Sequence, residues 1–209
     1  MTTPGANAAP FPGFDVLAQA QTWDEVTRRT VLARLEDPAG GGLFTPAQRA
    51  TAEALFDQLL GQHHDPRVPV VAMVEQRLVD GETDGWHFED MPVDGPAFLD
   101  TMAGLDADAS EQHGQPFAVL APEQQATLVQ AVRDISTGEG DTRWRGLPAD
   151  HVWSLWTRYG CTAFYSHPWA WNEIGFGGPA YPRGYKNMGL DAREPWEVSG
   201  PVPPSAGRA

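Results

Sequence analysis

Apolar residues return every three or four positions along several stretches of the chain, the spacing that places side chains on one face of a helix. The clearest stretch follows Thr45, with Pro46 suited to the first helical position and Gly61 ending the pattern. Its apolar positions are Ala52, Leu55, Phe56, Leu59 and Leu60. This pattern predicts a helix between Pro46 and Gly61.

The four residues from Thr22 to Glu25 match a capping box at the start of an earlier helix. The Thr22 hydroxyl can accept a hydrogen bond from the Glu25 amide, and the Glu25 carboxylate can accept one from the Thr22 amide. The motif predicts a helix that runs to about Glu36, where Pro38 and the following glycines end it.

Four further helices are predicted from the same apolar spacing and from prolines near their starts. Their approximate spans are 69–79, 95–113, 122–135 and 148–166. A loop carrying Trp86, Phe88 and Met91 separates the first two of these helices. Alternation of apolar and polar residues, which is typical of a half-buried strand, never extends beyond four residues. The predicted fold class is all-α, a single bundle of about six helices.

Beyond this bundle the chain combines large aromatic residues with glycine and proline. Disordered tails are poor in aromatics, and a regular helix does not tolerate so many breakers. We therefore expect an ordered but irregular C-terminal arm whose rings are buried, either against their own domain or against another protein. The predicted organisation is a flexible segment 1–21, a helical domain 22–167, the arm 168–197 and a flexible tail 198–209.

The helix that precedes the arm carries a stripe of large residues with a glycine among them. On a period of 3.6 residues the stripe consists of Trp153, Trp156, Gly160, Phe164 and His167. Glycine in a helix interior costs about 1 kcal/mol relative to alanine. Gly160 therefore indicates that another backbone or ring packs closely there. Core packing and a docking face for another subunit are both consistent with the stripe.

Acidic residues outnumber basic ones twofold, with 28 Asp and Glu against 14 Lys and Arg and a formal net charge of −14. A chain of this charge is an unsuitable partner for nucleic acid or an anionic membrane surface. No apolar run approaches the roughly 20 residues of a membrane span. The sequence therefore predicts neither nucleic-acid binding nor direct membrane insertion.

Residue types that could catalyse a reaction or bind a metal or cofactor do not form a recognisable motif in this sequence. Cys161 is the only cysteine, and His151 and His167 point elsewhere around the same helix, so we expect a small buried thiol. The run His63-His64-Asp65 lacks a third ligand at suitable spacing. The glycines of 175–178 neither follow a strand nor open a helix, unlike those of a dinucleotide-binding loop. We predict no catalytic residue, no cofactor-binding residue and no metal ligand.

The residue types of the arm suit a protein interface, because Trp, Tyr and Arg dominate interface hot spots. The predicted contact residues are Trp153, Trp156, His167, Trp169, Trp171, Phe176, Tyr181, Arg183 and Tyr185. A second interpretation is a stand-alone, cofactor-free carbohydrate-active enzyme or sugar-binding protein. In that case the aromatic rings would hold a sugar between His167, Glu173 and Arg183.

Several motifs resemble those of a known family. The segments 165–168, 171–179 and 181–185, together with the helix start at 44–49, are similar to the gluconate 2-dehydrogenase subunit 3 family. The resemblance covers roughly residues 43–196. It implies a non-catalytic small subunit that partners a large FAD-dependent oxidoreductase of the glucose-methanol-choline (GMC) type, often together with a cytochrome c. The FAD is then expected in the partner and not in this chain.

The resemblance also bears on location. Many members of the family carry a twin-arginine export signal with which the small subunit escorts the folded large subunit across a membrane. The first twenty residues here show no basic region followed by an apolar region. The chain is therefore expected to be cytoplasmic as written, unless it is exported together with its partner.

Overall fold

The computed structural model confirms the all-α class. It describes residues 11, 13–36, 38, 41–63, 67–140, 142–187, 189–190 and 192–198. These described residues form seven α-helices, two short 3-10 helices and one two-stranded hairpin. Most of the predicted tail 198–209 lies outside the described residues, as do His64 and Asp65 of the histidine run.

The helices α2 to α6 fall close to the spans that the sequence predicts. In chain order the α-helices are α1 (Glu25–Ala33), α2 (Pro46–Leu60), α3 (Val70–Val79), α4 (Asp94–His113), α5 (Pro122–Thr137), α6 (Ala149–Ser166) and α7 (Pro168–Ile174). The 3-10 helices are Val16–Thr22 and Phe117–Val119. The hairpin pairs β1 (Arg143–Trp144) with β2 (Leu147–Pro148).

Contacts divide the described chain into two compact units. The first, here called the bundle unit, comprises Pro38–His64 and Pro69–Phe164. The second, called the arm unit, is drawn from Met1–Asp37, Asp65–Val68 and Tyr165–Ala209. Helix α1 and the first 3-10 helix therefore group with the arm. The sequence predicts α1 in the helical domain and most of the 3-10 helix in the N-terminal segment.

In the bundle unit, α2 contacts α3, α4 and α5. Phe56 of α2 is fully buried, and its ring lies against Gly160 of α6. A Cβ atom built on Gly160 would lie 2.7 Å from Phe56 Cε1. The glycine is thus required by close packing of a ring, which confirms the expectation from its position in the helix.

The start of α2 combines local and non-local hydrogen bonds. The Thr45 side chain and the Gln48 side chain form the reciprocal capping box at Pro46–Leu60. Next to it, the fully buried carboxylate of Glu75 on α3 accepts hydrogen bonds from the amides of Leu43 (3.0 Å) and Phe44 (2.8 Å). Glu75 also pairs with Arg49 on α2. These bonds satisfy a buried charge, which would otherwise be costly.

The predicted capping box at Thr22 is wrong. Thr22 is the last residue of the 3-10 helix, and its hydroxyl donates to the Gln19 carbonyl at 2.7 Å. Asp24 caps α1 instead, because its carboxylate accepts the Thr27 amide at 2.8 Å. Hydrogen bonding to Thr27 lowers the pKa of Asp24. The helix then ends at Ala33, three residues before the predicted end.

The arm begins with a regular helix, contrary to the expectation of an entirely irregular segment. Pro168 occupies the first turn of α7, where its missing amide hydrogen has no cost. Gly175 ends the helix with φ of 68°, in the left-handed region that glycine adopts easily. The breakers therefore mark the two ends of α7. From Phe176 onward the described residues contain no helix or strand.

Two further expectations concern the burial of Cys161 and the presence of helices that could cross a membrane. Cys161 is exposed on α6, so the prediction of a buried thiol is wrong. It follows Gly160 by one position, which rotates it by about 100° away from the glycine face. Among the described residues, no helix has the length and apolar character needed to cross a membrane.

Candidate partner interface

Three aromatic side chains of the arm are exposed. The exposed fractions are 41% for Phe176, 66% for Tyr181 and 55% for Tyr185. Leu190, a few residues further along, is 97% exposed. Large apolar side chains grouped in one segment are typical of a surface that another protein covers. The segment 176–190 is therefore the candidate interface of the arm unit.

Arg183 fixes the arm between Tyr181 and Tyr185. Its Nη1 donates to the Thr22 hydroxyl at 2.9 Å, and its Nη2 donates to the Gly177 carbonyl at 2.7 Å. Its guanidinium carbon lies 4.0 Å from the ring centroid of Trp196. Desolvation lowers the pKa of Arg183, yet a guanidinium remains charged in proteins. One side chain thus joins three segments of the arm unit.

The turn after Tyr185 is held by a buried carboxylate. Glu194 accepts hydrogen bonds from the amides of Asn187, at 2.5 Å, and of Lys186. The Tyr185 ring lies 6.5 Å from the Trp196 ring, centroid to centroid. Tyr185 is therefore exposed on a segment whose backbone and neighbouring ring are both fixed.

Trp171 packs against Phe176, the first exposed ring of the arm. It is buried, and its Nε1 donates to the Tyr165 carbonyl at 2.7 Å. The Phe176 ring meets it edge to face, with centroids 5.3 Å apart. On the N-terminal side, the Arg34 guanidinium lies 5.7 Å from the Trp171 ring centroid. Trp171 is thus a core residue of the arm unit on which Phe176 rests.

The N-terminal residues of the arm unit hold the glycine-rich turn. Val16 and Trp23 form a buried cluster with Trp171, and both touch Gly178. Gly178 has φ of 76°, and a Cβ atom there would lie 2.7 Å from Trp23 Cζ2. Any larger residue would clash with the indole, so the turn requires glycine.

His167 is buried and caps α7 rather than facing a substrate. Its Nδ1 accepts the Trp169 amide at 3.2 Å, and its ring meets the half-buried Trp169 ring at 4.8 Å between centroids. Burial lowers the pKa of His167 to about 4, so the imidazole is neutral at pH 7. Desolvation by neighbouring groups also raises the pKa of Glu173, although its side chain reaches the surface. In the described part of the chain, no hydrogen bond joins His167, Glu173 and Arg183.

The two remaining predicted contact residues lie in the bundle unit. Trp156 is fully buried, and its Nε1 donates to the Thr101 hydroxyl at 3.0 Å. Trp153 is half-buried, with the Arg133 guanidinium 5.7 Å from its ring centroid. Trp156 is therefore part of the core of its own unit and has no surface to offer a partner.

The supporting residues Val16, Trp23, Glu194 and Trp196 were not singled out from the sequence. No local pattern in the sequence connects Val16 with Asn172 of α7. The Asn172 side chain nevertheless accepts the Val16 amide across a separation of 156 positions. Trp196 and Glu194 lie in a stretch without periodicity. Among the described residues, no group of three or more His, Cys, Asp and Glu side chains could hold a metal ion.

Comparison with known protein families identifies the family of this chain. A family model described as gluconate 2-dehydrogenase subunit 3 matches residues 46–178, more than half of the 209 residues. The matched range includes Phe176 but ends before Tyr181, Arg183 and Tyr185. No curated protein and no solved structure gives a significant match.

Proposed function

Because the chain belongs to the gluconate 2-dehydrogenase subunit 3 family, we propose that it is a non-catalytic accessory subunit of a dehydrogenase complex. Its partner is a large FAD-dependent subunit of the GMC type that oxidises sugars, glycosides or sugar acids. This chain binds that subunit and stabilises its folded form. FAD, held by that partner, would supply the hydride acceptor for oxidation of the substrate.

The observation that supports this proposal is the exposure of Phe176, Tyr181 and Tyr185 on a fixed segment. Arg183 and Glu194 hold the backbone between and after the two tyrosines. A ring that is already positioned loses little conformational entropy when a partner covers it, so more of the burial energy appears as affinity. Exposed aromatic side chains on a fixed backbone are what a binding surface needs.

The residues of this chain act by binding and positioning. Trp171 and Trp196 keep Phe176 and Tyr185 in place through ring contacts. The tyrosine hydroxyls remain available to hydrogen-bond polar groups of the partner while the rings cover its apolar surface. The arm unit therefore contributes a preformed surface to the complex.

The proposal is tested by measuring the dissociation constant between this chain and the co-expressed large subunit. The double variant Tyr181→Ala/Tyr185→Ala is expected to raise the dissociation constant about 30-fold or more, on the order of 2 kcal/mol. Tyr181→Phe/Tyr185→Phe retains both rings and is expected to change it much less. Val119→Ala, which truncates an exposed apolar residue of the bundle unit, serves as a control. An unchanged constant for the alanine pair would remove the tyrosines from the interface.

A further inference from the structure

The loop between α3 and α4, residues 80–93, is exposed along most of its length but anchored to two helices. The Asp84 carboxylate bridges two arginines. Its Oδ1 lies 2.5 Å from Nη2 of Arg77 on α3, and its Oδ2 pairs with Arg158 on α6. Desolvation, the largest single effect, acts to raise the pKa of Asp84, but the hydrogen bonds and charges of the two arginines together lower it. The first half of the loop is therefore fixed.

The second half is fixed by a histidine of α6. The Phe88 ring lies parallel to the His151 ring, with centroids 3.6 Å apart and an interplanar angle of 2°. Asp90 Oδ1 is 2.9 Å from Nδ1 of the same histidine. Met91, which follows Asp90 in the chain, is buried. The loop thus has a defined conformation although most of its side chains face solvent.

Trp86, near the centre of this loop, is 48% exposed. Its ring meets Phe88 edge to face at 5.1 Å, and the Arg158 guanidinium carbon lies 4.9 Å from its centroid. An indole held in this way is a preformed anchor. Trp, Tyr and Arg are the residue types that are enriched in the hot spots of protein interfaces.

The loop already binds two guanidinium groups of its own chain through Asp84, those of Arg77 and Arg158. Arg158 lies against Trp86 and pairs with Asp84, two positions earlier. A planar guanidinium suits both an aromatic face and a carboxylate, which an ammonium does less well. Glu82 and Glu89 are exposed and form no ion pair with any other described residue. Their carboxylates are therefore available to a guanidinium that a partner supplies.

The charge of the chain is concentrated in the unit that carries this loop. The bundle unit has 18 acidic and 6 basic residues, a formal net charge of −12, whereas the arm unit has 10 and 8, a net charge of −2. Residues 80–93 contain five acids and no Lys or Arg. A field of this sign attracts a basic surface and raises its association rate.

From these observations we propose that the loop 80–93 is a second docking surface, which binds an arginine-bearing basic patch of the large subunit. The inference rests on the proposed function, since it assigns a further contact to the same partner. Trp86 supplies the apolar anchor, and the carboxylates around it supply charge and orientation. The aromatic surface of the arm unit and this acidic surface thus differ in chemistry and in their response to salt.

The first test compares two variants with the same change in charge. Glu82→Gln/Glu89→Gln removes two charges from the loop, and Glu53→Gln/Asp100→Asn removes two exposed charges from other helices of the bundle unit. At about 20 mM NaCl the loop pair is expected to slow association with the large subunit about fivefold, against less than about twofold for the control pair. At about 500 mM NaCl the difference disappears, because the charges are screened.

The second test concerns the indole. Trp86→Ala is expected to raise the dissociation constant about tenfold, with partial retention in Trp86→Phe. Equal slowing by both charge pairs, or a dissociation constant that Trp86→Ala leaves unchanged, would overturn the proposed docking surface. Failure of the wild-type chain to bind the flavoprotein at all is a distinguishable result, and it would overturn the proposed function along with this inference.

Discussion

The side-chain oxygen of Asn172 accepts a hydrogen bond from the amide of Val16 at 2.8 Å, across 156 positions of sequence. Both residues are buried. The bond connects the first 3-10 helix with α7, so the N-terminal residues and the arm form one unit. The exposed aromatic segment rests on this unit.

Asn172→Ala is expected to destabilise the chain by about 1–3 kcal/mol, because it leaves the buried Val16 amide without its acceptor. The free energy of unfolding in urea, followed by tryptophan fluorescence, measures this loss. Glu173→Ala changes the adjacent, exposed position of α7 and is the matched control. Equal stability of Asn172→Ala and wild type would show that this bond does not hold the unit together.

Gly160→Ala is expected to destabilise the chain by about 1–3 kcal/mol, although alanine is the better helix former. The new methyl group would lie 2.7 Å from the Phe56 ring, and the ring would have to move. Gly95→Ala, in the first turn of α4, has no atom within 4 Å of the new methyl group. The measurement is the thermal unfolding temperature of both variants. A Gly160→Ala variant as stable as Gly95→Ala would contradict the close packing of Gly160 against Phe56.

Much of the bundle unit follows from local signals in the sequence. Thr45, Pro46 and Gly61 define the ends of α2 through capping chemistry that involves only near neighbours. The close approach at Gly160 could be inferred because a glycine in a helix interior costs stability unless something packs there. The caps depend on residues within a few positions of one another, so a single sequence reveals them. The glycine reveals a close approach through its local cost, but it does not identify Phe56 as the ring that packs there.

The arm unit was harder to predict because its contacts are non-local. Asp24 rather than Thr22 caps α1 because Thr22 belongs to a 3-10 helix. No apolar periodicity in the sequence predicts that helix. The burial of Trp171 depends on Val16 and Trp23, more than a hundred residues away. Residue type alone suggested Trp171 as a contact residue, whereas its packing makes it a support for Phe176.

His167 predicts a pH dependence of stability. Its pKa is about 4 in the folded chain against an ordinary value of 6.5, so the unfolded chain binds a proton that the folded chain excludes. The contribution is fully present above pH 6.5 and is lost as the pH falls from 6.5 to 4, by up to about 3 kcal/mol. His167→Asn keeps a capping side chain without this titration. The wild type should therefore lose more stability than the variant between pH 7 and pH 4.5; parallel profiles would contradict the burial of a neutral imidazole.

Arg183→Gln is expected to loosen the arm without unfolding the chain. The variant loses the ionic donor that joins Thr22, Gly177 and Trp196. Amide hydrogen exchange in residues 176–187 should accelerate about tenfold or more, which corresponds to about 1.4 kcal/mol of local stability. Exchange in α2 should stay as in the wild type. Unchanged exchange in the arm would show that other contacts fix the tyrosines.

The most direct test of the central claim is purification of the tagged chain from its native host. The eluate is analysed by mass spectrometry and by its visible absorption spectrum. The account predicts a larger flavoprotein in simple stoichiometry with the yellow flavin bands, and a loss of that protein when Tyr181 and Tyr185 are both replaced by alanine. A colourless chain that elutes alone would contradict the account.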